Sequence, residues 1–222
     1  MKPLLLFLCM LAWPVQACQT ALMFAIDTSG SINDDEWALQ TEGLADALLD
    51  PEIAQLIIGG QVALSAFQWA GQREQDYSLP WREIKNQSHL IDFANGVRNL
   101  PRRWKNGKTA IGTAMQEMAL LFDPVKHCGR HIIDLSGDGV LNNGSPLKPA
   151  REQLAKRHIT LNGLAIEPRD RFEVDGFKSL DIYYRGNVIV GKGAFVQAAD
   201  GYRDYPRAIR LKLLTELGLP VS

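Results

Sequence analysis

Apolar and polar positions alternate between two periods along this chain. Ala21 to Ile26 is an unbroken apolar run, the pattern of a strand buried on both faces. Asn33 then offers a helix cap with Glu36 reaching back, and Trp37, Leu44 and Leu48 follow at helical spacing. Gln61 to Trp69 alternates as a second strand, and Gln75 to Leu79 reads as a short edge strand. A helix over Ser88 to Leu100, a basic loop from Pro101 to Lys108 and a helix over Ala110 to Phe122 come next, the last ended by Asp123-Pro124. Arg130 to Leu135, Ile159 to Ile166 and Ala194 to Ala198 read as strands, with a helix over Pro149 to Arg157 between the first two. Tyr205 to Leu217 closes the pattern as an amphipathic helix. This β-α alternation predicts an α/β fold, a doubly wound, mainly parallel six-stranded sheet with helices on both faces, of Rossmann-like kind. Ligands on such sheets bind beyond the carboxyl ends of the strands, so the chemistry is expected in the loops there.

The first seventeen residues read differently. Lys2, the apolar run Leu4 to Trp13 and the small-residue site Val15-Gln16-Ala17 form a signal-peptide pattern. Residues 1–17 are therefore expected to be a signal peptide and residues 18–222 one domain, exported to the periplasm or the exterior. No apolar run is long enough for a transmembrane segment. Val15-Gln16-Ala17-Cys18 is also a partial lipobox, which would place a lipid anchor on Cys18; Gln16 fits that pattern poorly. With Cys9 in the signal, Cys18 and Cys128 remain. They lie nine residues before Asp27 and ten before Asp138. If the two intervening segments are neighbouring parallel strands, the cysteines meet at the edge opposite the aspartates. A bridge there would contribute about 3 to 5 kcal/mol in the chain-entropy account; the alternative is two unpaired buried thiols.

Charge removes one class of function. The 222 residues carry 24 Lys plus Arg against 25 Asp plus Glu, and no nucleic-acid partner is expected from that balance.

Three loops concentrate oxygen donors: Asp27-Thr28-Ser29-Gly30-Ser31 after the first strand, Gly107-Lys108-Thr109 at a helix opening, and Ser136-Gly137-Asp138-Gly139 after the central strand. Carboxylates and hydroxyls suit a hard divalent cation, Mg²⁺ first, with Mn²⁺ or Ca²⁺ as alternatives; zinc or copper would favour imidazole or thiolate. The DxSxS run, the Thr of Gly-x-Thr and the later Asp resemble the von Willebrand factor A domain with its metal-ion-dependent adhesion site, over roughly Ala21 to Leu217. Ser-Gly-Asp-Gly and the stretch Gly193 to Gly201 are similar, more narrowly, to a bacterial family of exported A-domain-like proteins of unknown function. The resemblance implies that Asp27, Ser29, Ser31, Thr109 and Asp138 hold the metal. It also implies a binding module rather than an enzyme, whose protein partner presents a carboxylate to complete the coordination. The third loop departs from the family's usual Thr-Asp-Gly in having Gly137 before Asp138.

Other signals carry less. Arg102, Arg103, Trp104, Lys105 and Lys108 form a basic stretch leading to Thr109, either a solvated loop or a surface that draws in an acidic partner. Gly107-Lys108-Thr109 fails as a P-loop because Arg102 stands where a glycine is needed, and Gly191 and Gly193 lack the third glycine of a dinucleotide site. His127-Cys128-Gly129-Arg130-His131 has no second cluster to complete a zinc site. Asp170 to Arg185 is either a recognition segment or a connection. Two alternatives to the adhesion-type module stand: a haloacid-dehalogenase-like Mg²⁺ phosphatase, and a structural envelope protein with an unused metal site. The phosphatase needs a second carboxylate where Ser29 sits. A serine hydrolase is excluded by the lack of G-x-S-x-G.

Overall fold

A computed structural model describes residues 18–167 and 176–218. The expected signal peptide lies outside the described residues, as does residues 168–175 of the connecting stretch.

Strand β1 (Thr20–Asp27) is buried along its whole length, as its apolar sequence requires. It pairs in parallel with β2 (Ala63–Trp69) on one side and β4 (Arg130–Gly137) on the other. β3 (Gln75–Glu83) is the antiparallel edge, and β5 (Ile159–Glu167) and β6 (Val196–Asp200) extend the sheet in parallel, giving the order β3-β2-β1-β4-β5-β6. The six strands and the winding match the expected doubly wound α/β architecture.

Alternate residues of β1 serve the two faces. Leu22, Phe24 and Ile26 pack with helices α1 (Asp34–Leu49), α2 (Pro51–Gly59), α3 (Gln87–Arg98) and α7 (Tyr205–Gly218). Ala21, Met23 and Ala25 pack with α4 (Ile111–Leu120), α5 (Leu147–Lys156) and α6 (Leu180–Asn187). The capping box of α1 forms as its sequence predicts, Asn33 Oδ1 accepting from the Glu36 N–H and Glu36 accepting from the Asn33 N–H.

Some boundaries differ from expectation. β3 runs to Glu83, and its two register shifts against β2 blur the alternation past Leu79. β6 begins at Val196 rather than Ala194, because the Ala194 N–H closes a turn onto the Gly191 carbonyl. α4 runs from Ile111 to Leu120 rather than from Ala110 to Phe122, and Asp123-Pro124 opens a short 3₁₀ turn just beyond it. α2 and α6 had no counterpart in the pattern. Among the described residues no helix is long and apolar enough to cross a membrane.

At the amino ends of β1 and β4 the backbone ladder continues outward, the Gly129 N–H donating to the Cys18 carbonyl. Cys18 and Cys128 are joined there by a disulfide, with Cα atoms 4.6 Å apart. Both half-cystines are buried.

Candidate metal site

The winding of the sheet reverses between β1 and β4, which opens a crevice at their carboxyl ends. Asp27 is the last residue of β1, and Asp138 follows the last residue of β4. Both are buried. The Ser29 N–H donates to Asp27 Oδ1 at 2.7 Å, which folds the first loop back over its own strand. Ser29 Oγ and Ser31 Oγ are 3.3 Å apart, and Ser31 Oγ donates to Asp138 Oδ1 at 2.6 Å. Four of the five expected ligands thus form one hydrogen-bonded chain.

The second loop is pinned to both of the others. The Gly30 N–H donates to the Gly107 carbonyl at 2.8 Å, and a Cβ on Gly30 would lie only 3.3 Å from Asn106 Cα. The Asn142 side chain accepts from the Thr109 N–H, while the Asn142 N–H donates to the Thr109 carbonyl. Thr109 Oγ1 borders the third loop, 3.5 Å from where a Cβ on Gly139 would stand. Among the described residues it makes no hydrogen bond to either aspartate.

The electrostatics of this pocket are unbalanced. Burial, and then repulsion from Asp138, push the Asp27 carboxyl well above the ordinary carboxylate range; the Ser29 hydrogen bonds and the Arg102 charge only oppose this. Asp27 Oδ2 is buried with no hydrogen-bond partner. An orphaned carboxylate oxygen, a second carboxylate and three hydroxyls fit a hard divalent cation, with Asp27, Ser29, Ser31, Thr109 and Asp138 as the donors. The His and Cys cluster is no rival: Cys18, His127 and Cys128 come together at the opposite edge, but the two sulfurs are bonded to each other.

Gly137 and Tyr184 explain the unusual third loop. A Cβ at position 137 would meet Tyr184 Oη at 2.8 Å and Asp27 Oδ2 at 2.9 Å. The ring of Tyr184, brought in by α6, fills the space that a larger residue would take, and its hydroxyl donates to the Gly139 carbonyl at 3.4 Å. Burial, followed by the charges of Asp27 and Asp138, holds that phenol well above its ordinary pKa. Sequence reasoning missed Tyr184; the Gly in place of Thr was the one signal that something else occupied the space.

The basic loop is mostly spoken for. Arg102 turns inward, its side chain 5% exposed, and donates to the carbonyls of Ser29 (3.0 Å) and Thr28 (3.4 Å) and to Asp34 (3.3 Å). It is a strut for the first loop. Lys105 pairs with Asp34 at 2.7 Å and Arg103 with Asp76 at 3.1 Å. Trp104 is half-buried, and Lys108 is exposed.

Comparison with known proteins bears on the family and the fold. The family described as "Protein of unknown function (DUF1194)" matches residues 17–220. The chain belongs to that family. None of the curated proteins matches it. Among solved structures, the proximal thread matrix protein 1 of the mussel byssus, in a form with a zinc-occupied MIDAS motif, superposes with a TM-score of 0.68 at 17% identity, over 91% of this chain and 48% of that one. A von Willebrand factor type A protein from Catenulispora acidiphila gives a TM-score of 0.65 at 15% identity, over 90% of this chain and 43% of that one. An aerotolerance-related membrane protein from Bacteroides fragilis gives 0.57 at 18% identity, over 89% and 99%. The chain thus has the von Willebrand factor A fold, and it spans about half the length of the mussel protein.

Proposed function

We propose that this protein is an exported, metal-dependent binding module of adhesion type, not an enzyme, acting in the periplasm or outside the cell. The observation that carries the reading is the buried, unpartnered Asp27 Oδ2 beside Asp138, in a pocket otherwise furnished with hydroxyls. Asp27, Ser29, Ser31, Thr109 and Asp138 would hold a divalent cation, Mg²⁺ before Mn²⁺ or Ca²⁺. Bound there, it would supply a positive charge that two carboxylates just balance, leaving it attractive to an oxygen from outside. A carboxylate of a protein partner is the group that fits. The chain's own residues set the geometry: Arg102 braces the first loop and Asn142 the second. Ser29 stands where a phosphatase loop needs its second carboxylate, and its hydroxyl lies beside that of Ser31, which supports the binding reading over the phosphatase one.

Calorimetric titration of the purified protein with Mg²⁺, Mn²⁺, Ca²⁺ and Zn²⁺ tests this. One saturable site is expected, lost in Asp138→Ala while the circular dichroism spectrum is kept, with no release of phosphate from p-nitrophenyl phosphate in any of the ions. Failure of every ion to bind, or metal-dependent phosphate release, would overturn it.

A further inference from the structure

Beside the candidate metal site, on the far side of the second loop, lies a second feature. An open groove of ≈ 460 Å³ is lined by Gln72, Arg73, Glu74, Asn106, Lys108 and Asn143. It is built rather than incidental. The Gln72 N–H donates to Asn143 Oδ1 at 2.8 Å, joining the β2–β3 turn to the third loop. Gly107 separates the groove from the metal loops: its carbonyl takes the Gly30 N–H, while a Cβ on it would strike Glu74 Oε2 at 2.4 Å.

The cations around this rim divide into two sets. Arg102, Arg103 and Lys105 are engaged by Asp34 and Asp76. Arg73 and Lys108 are exposed, and among the described residues neither lies within ion-pair distance of a carboxylate. The one acid in the wall, Glu74, has its Oε2 held by the Gly71 N–H at 2.8 Å and packed against Gly107. Two unpaired cations therefore share the groove, and Lys108 is the residue next to the expected ligand Thr109.

We propose that this groove takes a second carboxylate from the same protein segment whose first carboxylate completes the metal site. The proposal rests on the metal-site reading and adds the partner's chemistry. Neighbouring Cα atoms are about 3.8 Å apart, and alternate residues of an extended segment are about 7 Å apart on one face. An extended acid-x-acid segment spaces two carboxylates on that scale, and the groove adjoins the metal loops directly, through Gly107 and through the neighbouring residues Lys108 and Thr109. An acidic protein strand of that spacing is the partner class.

Two fluorescent peptides test this, acetyl-Gly-Gly-Asp-Gly-Asp-Gly-Gly-amide and the same peptide with one Asp replaced by Gly, read by anisotropy in Mg²⁺ and in chelator. The two-acid peptide is expected to bind roughly fivefold tighter in Mg²⁺, the scale of an exposed charge pair. The double variant Arg73→Gln/Lys108→Gln should erase that advantage, whereas Arg82→Gln, which removes a distant cation already paired with Asp92, should leave it intact. Equal affinities for the two peptides, or an advantage that survives in the double variant, would overturn the groove. Binding of both peptides that ignores the chelator would instead remove the metal-site reading beneath it.

Discussion

Two pairs of buried carboxylates lie along the central strands β1 and β4, and the chain treats them in opposite ways. Asp134, in the middle of β4, and Glu216, on α7, share the ammonium of Lys212: its Nζ is 2.8 Å from Asp134 Oδ1 and 2.5 Å from Glu216 Oε1. All three side chains are buried, and Asn162 Nδ2 also donates to Glu216 Oε1 at 2.7 Å. Asp27 and Asp138, at the carboxyl rim, form no ion pair among the described residues. The Arg102 guanidinium, whose charge acts on Asp27, spends its hydrogen bonds on the loop carbonyls and Asp34. A buried charge is tolerable only when it is paired. Where the pairing is structural, the sequence encodes the partner as a lysine on a helix; at the rim it encodes only oxygen donors.

The largest effect should come from breaking the internal pair. Lys212→Met keeps the length of the side chain but leaves two carboxylates buried together, and about 3–5 kcal/mol of stability should be lost. Urea unfolding of the oxidised protein, read from the midpoint, checks this. If Lys212→Met is neutral, the contrast between the two pairs collapses.

A somewhat smaller effect concerns pH. Burial, opposed by Lys212, raises the Glu216 carboxyl from its ordinary 4.5 to about 7. The folded chain therefore holds this proton over an interval where the unfolded chain has released it. The corresponding stabilisation is complete below pH ~4.5 and is lost as pH rises through ~7, a difference of the order of 3 kcal/mol. Glu216→Gln retains an acceptor for Lys212 and should flatten that part of the stability–pH curve, measured by thermal melts between pH 4.5 and 8.

The smallest effect should have the opposite sign. In chelator, Asp27→Asn relieves a desolvated, repelled carboxylate and should raise stability by about 1 kcal/mol. Adding Mg²⁺ or Mn²⁺ should reverse the ranking, since a ligand at a hundredfold its dissociation constant adds about 2.7 kcal/mol to a chain that binds it and nothing to one that does not. Thermal melts of both chains with and without the ion read the crossover.

Much of the architecture was legible because single segments carried it. β1 is apolar throughout, α1 bears its own capping box, and the disulfide was suggested by similar spacings, nine and ten residues, before the two aspartates. The positions of the candidate rim donors were legible in the same way, in short loops just after a strand or just before a helix. What escaped depends on contacts between distant segments. The inward turn of Arg102 exists only because the first loop's carbonyls arrive beside it. Tyr184 matters only against Gly137, and its helix follows a stretch with no clear period. α2 had a local signal that was passed over: Asp50 caps it, accepting from the N–H groups of Glu52 and Ile53, with Pro51 in the first turn.

The Cys18–Cys128 clasp gives β1 and β4 the mechanics of a pair of dividers. The two legs are fastened at one end and carry a carboxylate at each tip, Asp27 on one and Asp138 just past the other. The legs are nine and ten residues long and paired along their length, so the gap between the tips is set by the strands together with the Ser31 bond that crosses it. The ladder of seven residue pairs already holds the register of the two legs, so the clasp confines any spreading of the strands to the end that carries the carboxylates.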